Sequence, residues 1–322
     1  METKRVPLLK RSRRFLRYCL LRSLYAAASS LPLPVARVLG RALARLGLLI
    51  PGLRRKTLAG IATAYPEMSA AERLQLARAT FAHFGNFLGE VCCIDAITRE
   101  LDRHVEMPDE DRARYLAAIA EGRGVLMATG HVGNFELMAR RIGLLGPPSS
   151  AVAKVSSDPH MTAFIDKLRS KGGYHVIWRG KDKAQGSAFD GIRQALAEGH
   201  AVGLLIDQDT KGRGLFVDFF GKRAFTPRGI ADLALLTGCP VITGFIHRKP
   251  DGGHRVSIER IPVERTGDDE RDAQVLLQTL TTCVERAIRL DPGAWPWFHE
   301  RWRHRPPDEA LSKDEPSKRA LA

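Results

Sequence analysis

Val125-Leu-Met-Ala-Thr129-Gly130-His131-Val-Gly133-Asn134-Phe135-Glu136-Leu-Met138 changes character twice within fourteen residues. Val125–Thr129 is a short apolar run with strand character. Gly130 and Gly133 then permit a sharp turn, and Asn134 is a good N-cap for an apolar-periodic helix running from Phe135 to Leu145. The strand-to-helix turn presents His131 and, five positions later, Glu136. On one continuous helix residues five apart diverge by about 140°. The pair converges only if the turn folds His131 back over the helix start, where a carboxylate also suits the macrodipole. A carboxylate bonded to one imidazole nitrogen orients the ring and stabilises its protonated form, leaving the other nitrogen to take a proton from an attacking hydroxyl. Such a site is a general base without a nucleophilic Ser or Cys beside it. The same residues also suit a turn-filling histidine followed by an ordinary helix-start acid, and spacing alone leaves both readings open.

Outward from this stretch, strands and helices alternate. A helix over Asp111–Ala120 leads to the strand Val125–Thr129, and strand Ala151–Val155 is followed by a helix over Pro159–Ser170. Strand Tyr174–Trp178 precedes helix Gly186–Glu198, then strand Ala201–Ile206; later come helix Pro227–Thr237, strands Pro240–His247 and Arg255–Ile261, and helix Asp272–Leu290. Repeated strand-helix units predict an α/β fold, with a mostly parallel central sheet flanked by helices on both faces, and functional residues at the carboxyl ends of its strands. Asp207-Gln208-Asp209 ends one such strand, and Thr210–Thr226 after it is longer than a simple connector. Upstream, residues 57–100 read as helices with a break at Tyr65-Pro66 and a capping box from Ser69 to Glu72. Phe81, Phe84, Phe87 and Leu88 share one face of the second helix, a pattern of core packing or of a lipid or acyl groove; His83 on that helix reads as a packing residue.

The net charge of +14 is unevenly placed. Residues 1–60 hold fourteen Lys and Arg against the single acid Glu2, leaving +13 there and +1 elsewhere. This asymmetry predicts an anionic surface as partner. Phe15, Leu16, Leu20, Leu21 and Leu24, then Val35, Val38, Leu39, Leu43, Leu46 and Leu49, recur at helical spacing between the charges. They predict two interfacial helices separated at Leu31-Pro-Leu-Pro34 and lying on acidic lipid, with roughly 1 kcal/mol from each basic residue near the surface. The uninterrupted stretch between Arg22 and Arg37 is fourteen residues with two prolines, short of the about 20 that a span takes. A signal peptide ending at Ala26–Ser30 competes with this reading, against which Arg22 counts. The organisation expected is therefore 1–56 as basic membrane-associating helices, 57–306 as the α/β domain and 307–322 as a disordered, Pro- and charge-rich tail. Five cysteines without metal-ligand spacing suit a reduced, cytoplasm-facing domain. His131 and Glu136 lack a clear third ligand, so no metal site is expected.

Gly130-His131-Val-Gly133-Asn134-Phe-Glu136 closely resembles the signature of the bacterial lipid A biosynthesis acyltransferases, the lauroyl and myristoyl transferase family within the wider lysophospholipid acyltransferase-like group. In that family the His-x-x-x-x-Asp/Glu motif is the catalytic pair. Asp207-Gln208, Phe219-Phe-Gly221, Thr226-Pro-x-Gly229 and Gly238-Cys-Pro-Val241 are similar to its later blocks, and the likeness covers most of residues 15–306. It implies a glycerolipid acyltransferase-like fold and transfer of a fatty acyl group from an acyl carrier protein thioester to a hydroxyl of a lipid A precursor. His131 would be the general base supported by Glu136, with Asn134, Arg169 and Asp207 as substrate-binding residues and no cofactor. Arg169 stands where the family has an arginine before the following strand, and Lys154 where many members have Arg; either suits a phosphate or phosphopantetheine. The resemblance places the protein at the inner membrane with its catalytic domain facing the cytoplasm. Trp295-Pro-Trp-Phe-His299-Glu-Arg-Trp-Arg-His304-Arg-Pro306 taken alone suggests stacking on single-stranded nucleic acid. Because family members end similarly, it is read as part of the fold or an acidic-partner surface, His299 and His304 stay outside the catalytic set, and no nucleic-acid partner is expected. Two alternatives remain: an acyltransferase using acyl-CoA and another glycolipid or a lysophospholipid, and a non-enzymatic basic membrane or nucleic-acid-binding protein.

Overall fold

In the computed structural model, which describes residues 8–156, 158–180 and 187–306, helices precede and then enclose a twisted sheet. The chain begins with α1 (Leu8–Ser29), α2 (Leu33–Arg45), α3 (Pro51–Ala64) and α4 (Ala70–Cys92), followed by the short α5 (Ile94–Arg99) and α6 (Leu101–His104). The expected capping box forms at the start of α4, where Ser69 and Glu72 bond each other's backbone amides. Then come β1 (Val105–Glu106), α7 (Asp109–Ala120), β2 (Val125–Thr129), α8 (Phe135–Gly143), β3 (Ser149–Lys154), α9 (Pro159–Ser170), β4 (His175–Arg179), α10 (Ala188–Ala197) and β5 (Ala201–Leu205). The chain closes with β6 (Gly214–Phe219), β7 (Lys222–Pro227), α11 (Gly229–Thr237), β8 (Val241–Arg248), β9 (His254–Ile261) and α12 (Asp269–Leu290).

Seven strands form one sheet in the order β1-β9-β8-β2-β5-β3-β4, parallel at every pairing except β8 with β9. The α/β class expected from the strand-helix alternation is the one found. β2 lies near the middle, and all five of its residues are buried, which explains why it reads as a continuous apolar run. Leu126 and Ala128 point into a core shared with α11, α12, Trp295 and Trp297. Val125 and Met127 point into a second core shared with Tyr115 of α7 and Leu137 of α8. The chain leaves β2 toward β3 on one side and leaves β5 toward β8 on the other, so the crevice at the carboxyl ends of β2 and β5 is a topological switch point.

Residues 210–226, expected as a long loop, are largely the antiparallel hairpin β6–β7. Its turn, Phe219-Phe220-Gly221-Lys222, places both central residues at positive φ, 54° and 66°. That backbone matches the strand twist but normally selects Asn-Gly, and an aromatic in the first position hid the signal. The cost of holding Phe220 there, about 1–2 kcal/mol, is offset by burial of its ring against Tyr65, Trp297 and Arg289. Gly186, expected to open the helix now seen as α10, and the tail 307–322 lie outside the described residues.

The amino-terminal helices pack against this body. α2 crosses α4 so closely that a Cβ on Gly40 would sit 2.1 Å from the Gly85 carbonyl oxygen, and one on Gly89 would sit 2.5 Å from that of Ala36. Beneath the crossing, Arg37 of α2 pairs with the fully buried Glu90 of α4 at 2.7 Å, and Arg248 pairs with the same carboxylate. α1 lies against α9 through Tyr18 stacked on His160 and Tyr25 edge-on to Phe164. Leu16, Leu20, Leu24, Val38, Leu39, Leu43 and Leu49 remain exposed. Among the described residues, no helix is long and apolar enough to cross a membrane.

Candidate active site

His131 lies just beyond the carboxyl end of β2, and Asp207 just beyond that of its neighbour β5. The register pairs Thr129 with Leu205, so two further residues on each strand bring His131 and Asp207 to equivalent positions. There Nδ1 of His131 bonds Asp207 Oδ1 at 2.8 Å, and the His131 backbone amide donates to Oδ2 at 2.8 Å. The indole Nε1 of Trp295 donates to the same Oδ2 at 2.8 Å. Asp207 is only 2% exposed, and its burial opposes ionisation. The imidazole, the backbone amide and the indole more than reverse that and hold its pKa well below the usual carboxylate range. Burial likewise opposes charge on His131, but the Asp207 carboxylate outweighs it, with a smaller contribution from Glu136, and the net shift is upward. With Nδ1–H given to Asp207, Nε2 carries the free lone pair.

The imidazole partner is therefore Asp207 and not Glu136. The turn does fold back: Gly133 sits at φ 65°, where a Cβ would meet the Ile246 carbonyl oxygen at 1.9 Å. Asn134 then starts α8, and the helical rotation carries Glu136 toward α9 and β4. Its carboxylate accepts bonds from Arg169 Nη2 and from Arg169 Nε at 3.3 Å, and from the Tyr174 hydroxyl at 2.8 Å. Burial and the adjacent Glu136 raise the Tyr174 pKa, keeping the phenol a donor. Arg169 is also shifted up, because the carboxylate outweighs the cost of its burial.

Three further residues sat among the expected substrate contacts, and their side chains are largely committed within the protein. Asn134 caps α8 by accepting from Leu137 N at 3.2 Å and donates to Glu90 Oε2 at 2.8 Å, which occupies both ends of its amide. Asp207 is taken up by His131 and Trp295, and Arg169 by Glu136. Lys154, at the end of β3, is exposed. Among the described residues, no group of three or more His, Cys, Asp or Glu side chains is placed to hold a metal ion.

Two residues that sequence reasoning passed over stand at the base. Gln208 Nε2 lies 3.4 Å from His131 Nε2 and 3.4 Å from His299 Nε2, bridging the two rings, whose centroids are 5.4 Å apart. Burial, and then the neighbouring His131, push the His299 pKa down, so that ring stays neutral where His131 titrates. Trp295 and His299 come from the aromatic-basic segment near the carboxyl end. Behind it Arg301, buried and with its pKa lowered to about 10 by burial, ties that segment to Phe225 and Thr226 of β7.

His131 opens into a cavity of about 260 Å³ with an almost wholly apolar lining. Phe84 and Phe87 of α4, Phe135 of α8 and Phe298 form much of the wall. The aromatic stripe of α4 therefore does both things its pattern allowed: Phe81 is core, and Phe84 and Phe87 face a groove.

The sequence profile of the bacterial lipid A biosynthesis acyltransferases matches residues 6–304. The chain is 28% identical over 281 residues to the lipid A biosynthesis lauroyltransferase of Escherichia coli strain K12, covering 86% of this chain and 88% of that protein. It is 28% identical over 291 residues to the lipid A biosynthesis palmitoleoyltransferase of the same organism, covering 87% and 89%. A more distant likeness, 23% over 230 residues and 70% and 72% of the two chains, joins it to the phosphatidylinositol mannoside acyltransferase of Mycolicibacterium smegmatis.

Proposed function

The chain belongs to the bacterial lipid A biosynthesis acyltransferase family, and from that premise we propose that it moves a fatty acyl group from an acyl carrier protein thioester to a hydroxyl of a lipid A precursor, with His131 as general base. The observation that carries this reading is the His131–Asp207 bond at the mouth of an apolar cavity. It leaves Nε2 facing the space where a hydroxyl and an acyl carbonyl can meet.

In the proposed reaction the acceptor hydroxyl displaces the weak Gln208 contact and gives its proton to His131 Nε2 as its oxygen attacks the thioester carbon. Asp207 holds the ring and stabilises the imidazolium, as a buried carboxylate does for any histidine base. The carbonyl π electrons move onto oxygen. Amides at the start of α8 other than that of Leu137, which the Asn134 cap takes, would act as fixed donors for that oxyanion at the positive end of the helix dipole. Collapse re-forms the carbonyl and breaks the C–S bond, and the leaving sulfur takes the proton back from His131. Glu136 keeps a supporting part at longer range: its charge favours imidazolium, and its bonds to Arg169 and Tyr174 fix the turn opposite Asp207.

The exposed apolar residues of α1 and α2, set among the arginines of the first sixty residues, support an interfacial seat on anionic lipid at the cytoplasmic face of the inner membrane. α2 packs on α4, whose Phe84 and Phe87 line the cavity, so such a seat would bring the cavity near the lipid that supplies the acceptor.

The acceptor and donor are tested by mass spectrometry of purified protein incubated with acyl carrier protein thioesters or acyl-CoA and a panel of lipid A precursors, phosphatidylinositol mannosides and lysophospholipids. The proposal expects one acyl mass on the lipid A precursor from the carrier-protein donor. Exclusive acylation of a mannoside or a lysophospholipid would overturn the acceptor, and exclusive use of acyl-CoA would overturn the donor.

A further inference from the structure

The turn that joins α2 to α3 forms a second concavity, which the proposed reaction does not use. Arg45 ends α2, Leu46–Leu49 follow as a single 3-10 turn, and Arg54 is the fourth residue of α3. Gly47 seats this turn on α4, since a Cβ there would lie 2.5 Å from the Phe81 ring. Pro51 opens α3 with its φ already set for a helix. On α4, Leu74 and Arg78 stand four residues apart and so share one face. Arg45, Leu48, Leu49, Arg54, Leu74 and Arg78 together line a cavity of about 520 Å³. The lining contains no acid. All three arginines are exposed, and among the described residues none of their side chains has a hydrogen bond, an ion pair or a ring contact. Three like charges around one concavity repel, a cost that a bound anion relieves. The start of α3 adds to the positive field, because no side chain caps it and its first turn carries no acid. Leu46, Leu49 and Ile50 stand exposed along the same turn.

An inorganic anion satisfies the guanidiniums but leaves the leucines in water, and a plain hydrocarbon does the reverse. A ligand that answers both carries a phosphate and an acyl chain. We propose that this cavity seats one anionic phospholipid of the membrane leaflet, its phosphate among Arg45, Arg54 and Arg78 and the start of a chain over Leu48, Leu49 and Leu74. Guanidinium suits the phosphate because its fork of donors matches two oxygens at once. The site shares no lining residue with the cavity at His131 and needs no acyl transfer. It deepens, and rests on, the interfacial seat proposed above, by adding one defined headgroup contact to a diffuse attraction. Arg78 lies six residues before Phe84 on α4, roughly 9 Å along the helix. A lipid held there fixes the leaflet against the helix that walls the acyl cavity.

The test is calorimetric binding of dioctanoylphosphatidylglycerol, kept below its micelle-forming concentration, beside dioctanoylphosphatidylcholine, glycerol phosphate and a glutamate-rich peptide. Wild type is compared with the site variant Arg45→Gln/Arg54→Gln/Arg78→Gln and with Leu49→Ser. A control, Arg112→Gln/Arg193→Gln/Arg271→Gln, removes the same charge from α7, α10 and α12. Wild type is expected to bind the anionic lipid about tenfold or more tightly than each other ligand, and the site variant to lose about tenfold or more. Leu49→Ser weakens the lipid and leaves glycerol phosphate unchanged, while the control loses less than about twofold. Equal loss in the two triple variants overturns the proposal in favour of diffuse charge. Glycerol phosphate bound as tightly as the lipid overturns it in favour of a free-phosphate site, and tighter binding of the peptide in favour of an acidic-protein surface. Flotation with vesicles containing phosphatidylglycerol separates the site from the seat. Wild type that floats without binding the soluble lipid keeps the seat and overturns the site; binding without flotation keeps the ligand chemistry and overturns its source in the leaflet. All the substituted arginines are exposed, and Arg78→Gln alone carries the comparison should the site variant not fold.

Discussion

At the scale of single residues, the proposed chemistry turns on which carboxylate holds the His131 imidazole. Asp207→Asn keeps the shape but reverses the hydrogen-bond demand at Nδ1, favouring the wrong tautomer, so turnover should fall about 10³–10⁴-fold with little loss of fold. The pH dependence carries a sign. The Asp207 charge raises the His131 pKa, and the base works only when neutral, so kcat/KM in wild type rises with pH through a midpoint above the ordinary 6.5. In Asp207→Asn the residual activity should show that limb displaced to lower pH, and an unmoved limb would assign the shift to another group. Glu136→Gln should cost less than Asp207→Asn, because its carboxylate is bonded to Arg169 and Tyr174. His131, Asp207 and the Asn134 cap were all legible in the sequence as chemistry or punctuation. Their partnership was not, because it joins residues 76 apart through the adjacency of β2 and β5. No spacing within one segment encodes strand order. Glu136 attracted the assignment because it was near in sequence, and helix rotation decided otherwise.

At the scale of elements, strand-helix alternation set most of the sheet, since buried parallel strands announce themselves as apolar runs between amphipathic helices. The hairpin β6–β7 escaped because Phe220 occupies a left-handed turn position by virtue of tertiary packing. Its tolerance can be measured: Phe220→Asn improves the turn but removes a buried ring, and the ring should win, lowering stability by about 2–4 kcal/mol in denaturant unfolding. The α2–α4 crossing follows the same logic of close approach. Gly40→Leu must displace the Gly85 backbone and should detach α2, exposing the Arg37–Glu90 pair. The expected observation is early hydrogen exchange across residues 33–45 and a lowered melting temperature; unchanged protection of α2 would show that the crossing contributes little. Because Glu90 also bonds Asn134, the crossing is linked to the cap of α8 and so to the turn that carries His131.

At the scale of the whole molecule, charge and exposed apolar surface coincide at one end of the chain, and the order of basic and apolar residues there is enough to read it. The depth of the cavity was not legible in the same way, because it is assembled from α4, α8 and the segment around Phe298, which only the fold brings together. Vesicle flotation checks the membrane seat: binding should be strong to anionic vesicles, weaken as salt rises through physiological ionic strength, and fall further when Leu16, Leu20 and Leu24 become Ser. Equal binding to neutral vesicles would point to apolar insertion alone. The most direct test of the central claim is acyl transfer to a lipid A precursor, read by mass spectrometry for wild type, His131→Ala and Asp207→Asn side by side, with thermal unfolding of each protein recorded. The expected result is a single acyl mass added by wild type, at most traces from the two variants, and melting curves showing that both remain folded; transfer at an undiminished rate by folded His131→Ala would contradict a general-base role for His131.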